Sequence, residues 1–259
     1  MTQTYKQGEF CWFELATTDP AAATAFYTGL FGWTIREAPL PDGMTYYTFQ
    51  KDGKSVAACA QQQPQEREMG VPPHWNTYIA ADNIDELVPK AEELGAKVIA
   101  PPFDVMELGR MAVVTDPTGA VISFWQDASM SGAELINQSG TGIRVWNELT
   151  TPDMDGATAF YTGLFGYTAE TRDMPNGPYT TLSLGDTQWA GIMNPPPDSG
   201  IPPVWGLYLG VEDTDAIVAK ATELGGQPVF ETMDIPEVGR LAWITDPTGA
   251  TFGILQPTS

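Results

Sequence analysis

The chain writes one line twice. "TAFYTGLFGWT" (Thr24–Thr34) returns as "TAFYTGLFGYT" (Thr158–Thr168), with ten of eleven residues the same. The likeness reaches further on both sides. "CWFELATTDPAAATAFYTGLFGWT" matches "VWNELTTPDMDGATAFYTGLFGYT" at an offset of 134, and "GRMAVVTDPTGAVISFWQ" matches "GRLAWITDPTGATFGILQ" at an offset of 130. The change of register falls in a connector rich in Pro, Gln and Glu, where length variation is cheapest. Self-similarity on this scale means two copies of one fold unit. The copies are read as domains over 1–130 and 142–259, with 131–141 as a linker.

Each copy repeats a coarser order. "FCWFELA" alternates as a strand does, and Asp19-Pro20 opens a helix over "AAATAFYTGLF" that Gly32 ends. "TIREA", "TYYTFQ" and "SVAACAQ" follow as short strands. "WNTYIAA" then reads as a strand, "NIDELVPKAEEL" as a helix stopped by Gly95, and "KVIAPPF" with the hairpin "GRMAVVT-DPTG-AVISFWQ" as three more strands. That is βαβββ twice per copy and four times per chain, an α+β architecture. In the copied line, Phe26, Tyr27, Leu30 and Phe31 form an apolar stripe for packing on a sheet, and Gly29 and Gly32 allow close approach or close the helix.

Charge excludes several functions. There are 33 acidic against 12 basic residues, a net charge of −21, so binding to a phosphate backbone or an anionic membrane is not expected. The chain starts without an apolar leader and has no run long enough to span a bilayer, so a cytoplasmic location is expected. Cys11 and Cys59 lie in apolar strand-like runs and form no CxxC pair, which makes them small buried hydrophobes. An acidic pocket for a cationic ligand is a reading that charge alone does not locate.

Four βαβββ units carrying "ELATTDPAAATAFYTGLFGW", "YIAADNIDEL…AEELGAKV" and "DPTGAVISFWQ", each with a partner in the second half, resemble the vicinal oxygen chelate superfamily. This is the glyoxalase/bleomycin-resistance/dioxygenase family, and the likeness is to its duplicated, glyoxalase-like or hydroxylase-labelled actinobacterial members. The resemblance implies two tandem domains, each of two βαβββ units forming a cup-shaped sheet. It also implies a divalent metal in the cup, held from the first strand, the corresponding strand of the second unit and the last strand. The positions that match those ligands are Trp12, Asn76 and Ser123 in the first copy and Trp146, Gly206 and Gly253 in the second. None replaces imidazole or carboxylate as a strong ligand, and one His rules out a two-His-one-carboxylate set. No metal and no cofactor are therefore expected. A slip of two residues keeps side chains on the same strand face and would bring in Glu14 and His74 instead.

Glu14 and His74 are the candidate catalytic groups. His74 is the side chain suited to proton transfer near neutrality, and a carboxylate such as Glu14 aimed into an apolar cup can serve as a base. The presence of Glu148 at the matching place also allows a structural duty, such as bonding a Tyr or a backbone amide. Trp12, Asn76, Ser123, Trp125, Trp146, Glu148, Trp189 and Trp243 are the candidate binding residues. Trp125, Trp189 and Trp243 differ between the copies, as walls for a planar or apolar ligand would. Arg110 and Arg240 share their hairpins with Asp116 and Asp246, so an ion pair or turn brace is expected there, with anion binding as the alternative. The expected partner is a small molecule, with neither nucleic acid nor membrane, and a homodimer is compatible with the sequence. The reading is a metal-independent enzyme acting on a small carbonyl or aromatic metabolite. The alternative is a protein that sequesters a drug or metabolite, and metal-dependent glyoxalase or dioxygenase chemistry comes third.

Overall fold

Asp19 caps the first helix by accepting the Ala22 N–H at 3.0 Å, and Pro20 follows where a missing N–H costs nothing. Gly32 ends that helix in the left-handed region, at φ 69°. Asp153 and Gly166 do the same for the second copy. In the computed structural model, residues 3–175 and 177–258 are described. The first copy comprises β1 (Phe10–Thr17), α1 (Pro20–Phe31), β2 (Thr34–Pro39), β3 (Thr45–Lys51), β4 (Lys54–Gln61), α2 (Pro64–Glu68), β5 (His74–Ala80), α3 (Ile84–Glu93), β6 (Lys97–Val105), β7 (Gly109–Thr115) and β8 (Val121–Asp127). The second comprises β9 (Arg144–Thr150), α4 (Met154–Phe165), β10 (Thr168–Met174), β11 (Gly177–Leu184), β12 (Thr187–Met193), β13 (Val204–Gly210), α5 (Thr214–Glu223), β14 (Gln227–Pro228), β15 (Met233–Ile235), β16 (Gly239–Thr245) and β17 (Thr251–Pro257).

The chain is α+β with two tandem domains, as the repeat implies. The first copy's strands run in the order β2-β3-β4-β1-β5-β8-β7-β6, and the second copy's in the order β10-β11-β12-β9-β13-β17-β16-β14, with β15 beside β16. By packing, the chain divides into two compact units, and each takes one βαβββ module from each copy.

One unit gathers Phe13–Trp75, Ala133–Val145 and Leu207–Ser259, and is called here the Tyr27 unit. Phe26, Tyr27, Leu30 and Phe31 of α1 are all buried, and the Tyr27 ring meets Trp75, Phe49 and Phe252 with centroids 5.3 to 5.8 Å apart. Gly29 is there for a neighbouring residue at a helix end. A Cβ on it would come within 3.2 Å of Leu224, the residue that closes α5. Lys220 of α5 donates to the Leu30 carbonyl at 3.0 Å, placing a cation on the last turn of α1. Residues 133–145 are docked in this unit. Glu134 accepts from the Ser55 N–H and hydroxyl at 2.8 and 3.0 Å, and the Lys51 ammonium holds the Thr141 carbonyl at 2.7 Å. Arg144 is 1% exposed, hydrogen-bonded to Asn137 and lying 5.4 Å over the Phe13 ring.

The other unit gathers Met1–Trp12, Asn76–Gly132 and Trp146–Gly206, and is called the Tyr161 unit. It repeats the same devices with the copies exchanged. Phe160, Tyr161, Leu164 and Phe165 of α4 are buried, Lys90 of α3 donates to the Leu164 carbonyl at 2.8 Å, and a Cβ on Gly163 would come within 3.3 Å of Leu94.

Two features depart from the sequence reading. The Pro/Gln/Glu-rich connector holds a short helix, α2, because Pro64 opens it and the Glu66 carboxylate turns back to the Gln63 N–H at 2.9 Å. β6 keeps Pro101 and Pro102 inside a strand, as the sequence reading has it, and this is tolerated because β6 is the last strand in its order. Arg110 and Arg240 do not brace the DPTG turns. Arg110 pairs with Asp85 and Asp104, and Arg240 with Asp215 and Asp234. Each Arg is the second residue of a seven-residue strand and its Asp follows the end of that strand, about 20 Å away at strand rise.

Candidate functional site

Glu14 lies on β1 beside Ala58 of β4, and is half-buried. Tyr46 reaches it from β3, which pairs with the far side of β4, and its hydroxyl donates to Glu14 Oε2 at 2.6 Å. The second copy has the same dyad. Tyr179 of β11 donates to Glu148 Oε2 at 3.0 Å, and the Trp146 indole N–H donates to the Tyr179 oxygen at 2.7 Å. The two differ in access, since Glu148 is only 8% exposed. Burial first, then the Glu148 charge, pushes the Tyr179 phenol well above its usual range. A carboxylate held by a phenol O–H keeps its orientation and can take a proton from a group brought against it.

His74 is half-exposed at the start of β5 in the Tyr27 unit. Its Nδ1 lies 2.8 Å from the Pro72 carbonyl, which places a proton on Nδ1 and leaves Nε2 toward Glu66 Oε1 at 3.9 Å. Gln62 fixes that approach by donating to the carbonyls of Val71 and Pro72. Glu14 and His74 thus share a unit, and the His74 ring meets the Pro72 carbonyl and the Glu66 carboxylate.

The other candidates fall as follows. Trp12, Asn76, Ser123, Trp125, Trp146, Glu148 and Trp189 belong to the Tyr161 unit, and Trp243 to the Tyr27 unit. Trp12, Ser123, Trp125 and Trp189 are buried, whereas Asn76, Trp146 and Trp243 are half-buried. Trp243 donates to the Tyr208 hydroxyl at 2.8 Å, with the rings edge-on at 5.0 Å. Trp75 and Trp205 are core residues that donate to Tyr27 and Tyr161.

The metal positions can be tested on their donors. Ser123 pairs with Tyr78 along the parallel β5–β8 ladder, and Gly253 pairs with Tyr208 along β13–β17. A Cβ on Gly253 would lie 2.3 Å from the Tyr208 ring, so the space a ligand side chain would need there is filled by an aromatic one. Among the described residues no group of three or more His, Cys, Asp or Glu is placed to hold an ion. The donor set does not fit the family's metal. The two thiols offer no substitute, because burial above all pushes both Cys11 and Cys59 far above the usual thiol range.

The sequence reading missed Tyr46 and Tyr179. The signal was present, since a Tyr stands at the matching place in "TYYTF" and "GPYTTL", but strand alternation alone does not say which carboxylate it meets.

Comparison with known proteins decides the family. The model of the glyoxalase/bleomycin resistance protein/dioxygenase superfamily matches residues 10–124 and again 144–254. The chain belongs to this superfamily. It is 45% identical over 255 residues to CFP32 of Mycobacterium tuberculosis, a protein named as a glyoxylase, covering 98% of this chain and 96% of that one. It is 37% identical over 262 residues to the anthracycline biosynthesis protein DnrV of Streptomyces peucetius, covering 97% and 94%. Among solved structures, the Mn(II)-bound glyoxalase of Novosphingobium aromaticivorans superposes with a TM-score of 0.65 at 16% identity, over 97% of this chain and 82% of that one. Homoprotocatechuate 2,3-dioxygenase of Brevibacterium fuscum gives 0.65 at 13%, over 100% and 83%. At these identities the superpositions speak for the fold of the superfamily. No helix is long and apolar enough to cross a membrane among the described residues.

Proposed function

We propose that this protein is a metal-independent enzyme of the glyoxalase/dioxygenase superfamily that moves a proton on a small carbonyl-bearing aromatic metabolite. The observation that carries the reading is the Glu14–Tyr46 dyad, a half-buried carboxylate with one oxygen held at 2.6 Å by a phenol. Glu14 takes the proton from the carbon or hydroxyl next to the substrate carbonyl. Tyr46 fixes the carboxylate and shields its charge before the transfer. His74, its ring anchored through Nδ1 at the Pro72 carbonyl, is the second proton carrier. The first copy is the working one, because Glu148 in the second is sealed at 8% exposure. The substrate class rests on the relatives, one named as a glyoxylase and one as an anthracycline biosynthesis protein.

The test uses the whole chain after exhaustive chelation, screened against hydroxylated aromatic ketones and quinones by absorbance. Glu14→Gln is expected to lower kcat about 10²- to 10⁴-fold, the usual worth of a general base, and to leave ligand affinity within a factor of about three. Turnover that vanishes on chelation and returns with a divalent ion overturns the metal-independent reading. Tight binding without turnover in the wild type makes the protein a sequestering one.

A further inference from the structure

We infer that Arg36 binds a carboxylate of the substrate, at the end of the molecule away from the group that Glu14 deprotonates. The inference rests on the proposed function and adds the charge and length of the substrate to it. Residues paired across neighbouring strands share a face of the sheet. Glu14 of β1 pairs with Ala58 of β4, Ala58 with Thr48 of β3, and Thr48 with Arg36 of β2. The four stand in one row. Tyr46, which bonds Glu14, lies two residues along β3 from Thr48 and so on the same face.

Ala58 and Thr48 are small and buried, whereas Glu14 and Tyr46 are half-buried and Arg36 is exposed. What a ligand meets along this line is therefore a carboxylate, a phenol and a guanidinium, in that order. Three strand spacings separate the ends of the row by about 14 Å at the backbone, which suits a fused-ring or otherwise extended molecule. Arg36 is also uncommitted. Arg110, Arg172 and Arg240 each pair with a carboxylate and Arg144 bonds Asn137, but Arg36 has no hydrogen bond or ion pair among the described residues. In a chain of 33 acidic and 12 basic residues, a guanidinium without a carboxylate is the exception. Its planar fork matches a carboxylate through two parallel hydrogen bonds.

The scaffold does not demand an arginine there. The matching row of the second copy runs Glu148, Gly191, Thr181, Glu170, so a carboxylate stands where the first copy has its cation. Glu170 is itself taken up by Arg172 at 3.0 Å. The copy whose dyad carboxylate is 8% exposed thus lacks the free guanidinium, and the copy with the accessible one has it. The two features go together, as they would if one ligand used both.

Isothermal titration calorimetry of 6-acetyl-2-naphthoate and its methyl ester against the full chain at low salt tests it. The net charge of −21 repels the acid, so a preference for it needs a local cation. The wild type is expected to bind the acid about tenfold more tightly than the ester, the worth of a charge-assisted pair. Arg36→Gln, an exposed change, is expected to bind both alike, with ester affinity within about threefold of the wild type. Lys97→Gln removes an exposed cation from the other unit and should keep the preference. No binding of the acid, equal binding of acid and ester by the wild type, a preference that survives Arg36→Gln, or an equal loss in Lys97→Gln overturns the proposal. Failure of the proton-transfer reading shows elsewhere: Glu14→Gln would then turn over like the wild type, while the preference for the acid still followed Arg36.

Discussion

Tyr27 donates a 3.0 Å hydrogen bond to Asp246, which lies 219 residues further along the chain, and Tyr161 donates one of 2.9 Å to Asp116. Each helix tyrosine of one copy thus bonds the DPTG carboxylate of the other. The second carboxylate oxygen of each Asp is bound by its own turn, through the N–H groups at 118, 119 and 120 or at 248, 249 and 250. This is why the line is copied with so little change. The Tyr and Phe side chains each meet a partner from the other copy, Tyr27 and Tyr161 at the DPTG carboxylates, Phe26 at Phe252 and Phe165 at Phe124.

The exchange predicts a pattern of coupling. Tyr27→Phe is expected to cost about 1–3 kcal/mol, since it removes the donor to a buried carboxylate. In double-mutant cycles by urea unfolding, Tyr27→Phe with Asp246→Ala should show strong coupling, and so should Tyr161→Phe with Asp116→Ala. Tyr27→Phe with Asp116→Ala should be additive to about 0.5 kcal/mol. Coupling within a copy instead of across copies would refute the pairing.

Alkaline pH should act through the same residues. Burial first, and then the neighbouring carboxylate charge, raises the phenols of Tyr27, Tyr161 and Tyr179 well above their usual range. In the unfolded chain they ionise near pH 10. The folded pKa values lie above the unfolded ones, so the stability they contribute is full below about pH 10 and is lost as pH rises beyond it. Absorbance at 295 nm should show these three of the nine tyrosines titrating only as the fold is lost.

The glycines rank themselves. A Cβ on Gly253 would meet the Tyr208 ring at 2.3 Å and one on Gly191 the Tyr179 hydroxyl at 1.9 Å, whereas one on Gly29 meets the flexible Leu224 end at 3.2 Å. Gly29→Ala gains helix propensity of up to about 1 kcal/mol against a small push on Leu224, and is expected to be nearly neutral. Gly253→Ala and Gly191→Ala are expected to cost about 1–3 kcal/mol from overpacking, and Gly191→Ala also to break the Tyr179–Glu148 bond. Thermal unfolding of the three variants checks the order.

Much of this was legible in the sequence, and the reason is periodicity. Asp19, Pro20 and Gly32 mark the ends of α1 by local chemistry, and alternation in "FCWFELA" marks β1. What alternation cannot give is the partner across strands or copies. Tyr27 reads as one more member of an apolar stripe, because nothing within α1 reveals that its hydroxyl meets Asp246. Arg110 and Asp116 share a hairpin and so look paired, but strand rise separates them. Tyr46 and Glu14 belong to strands with β4 between them, and only the sheet order brings them together.

The two dyads give the sharpest functional contrast. They share the pair of residue types, and they differ in access, since Glu148 is 8% exposed whereas Glu14 is half-buried. If Glu14 transfers protons and Glu148 is a fixed strut, charge removal separates them. Glu14→Gln should lower kcat about 10²- to 10⁴-fold with a melting temperature within about two degrees of the wild type. Glu148→Gln should keep turnover but lose about 1–3 kcal/mol of stability, because the Tyr179 hydroxyl is left with a poorer acceptor in a buried place. Tyr46→Phe separates orientation from chemistry: it should lower kcat about tenfold while KM stays unchanged, because the base survives but is no longer held in one position. Equal loss of turnover in Glu14→Gln and Glu148→Gln would mean that both copies work, and the difference in burial would then have no functional weight.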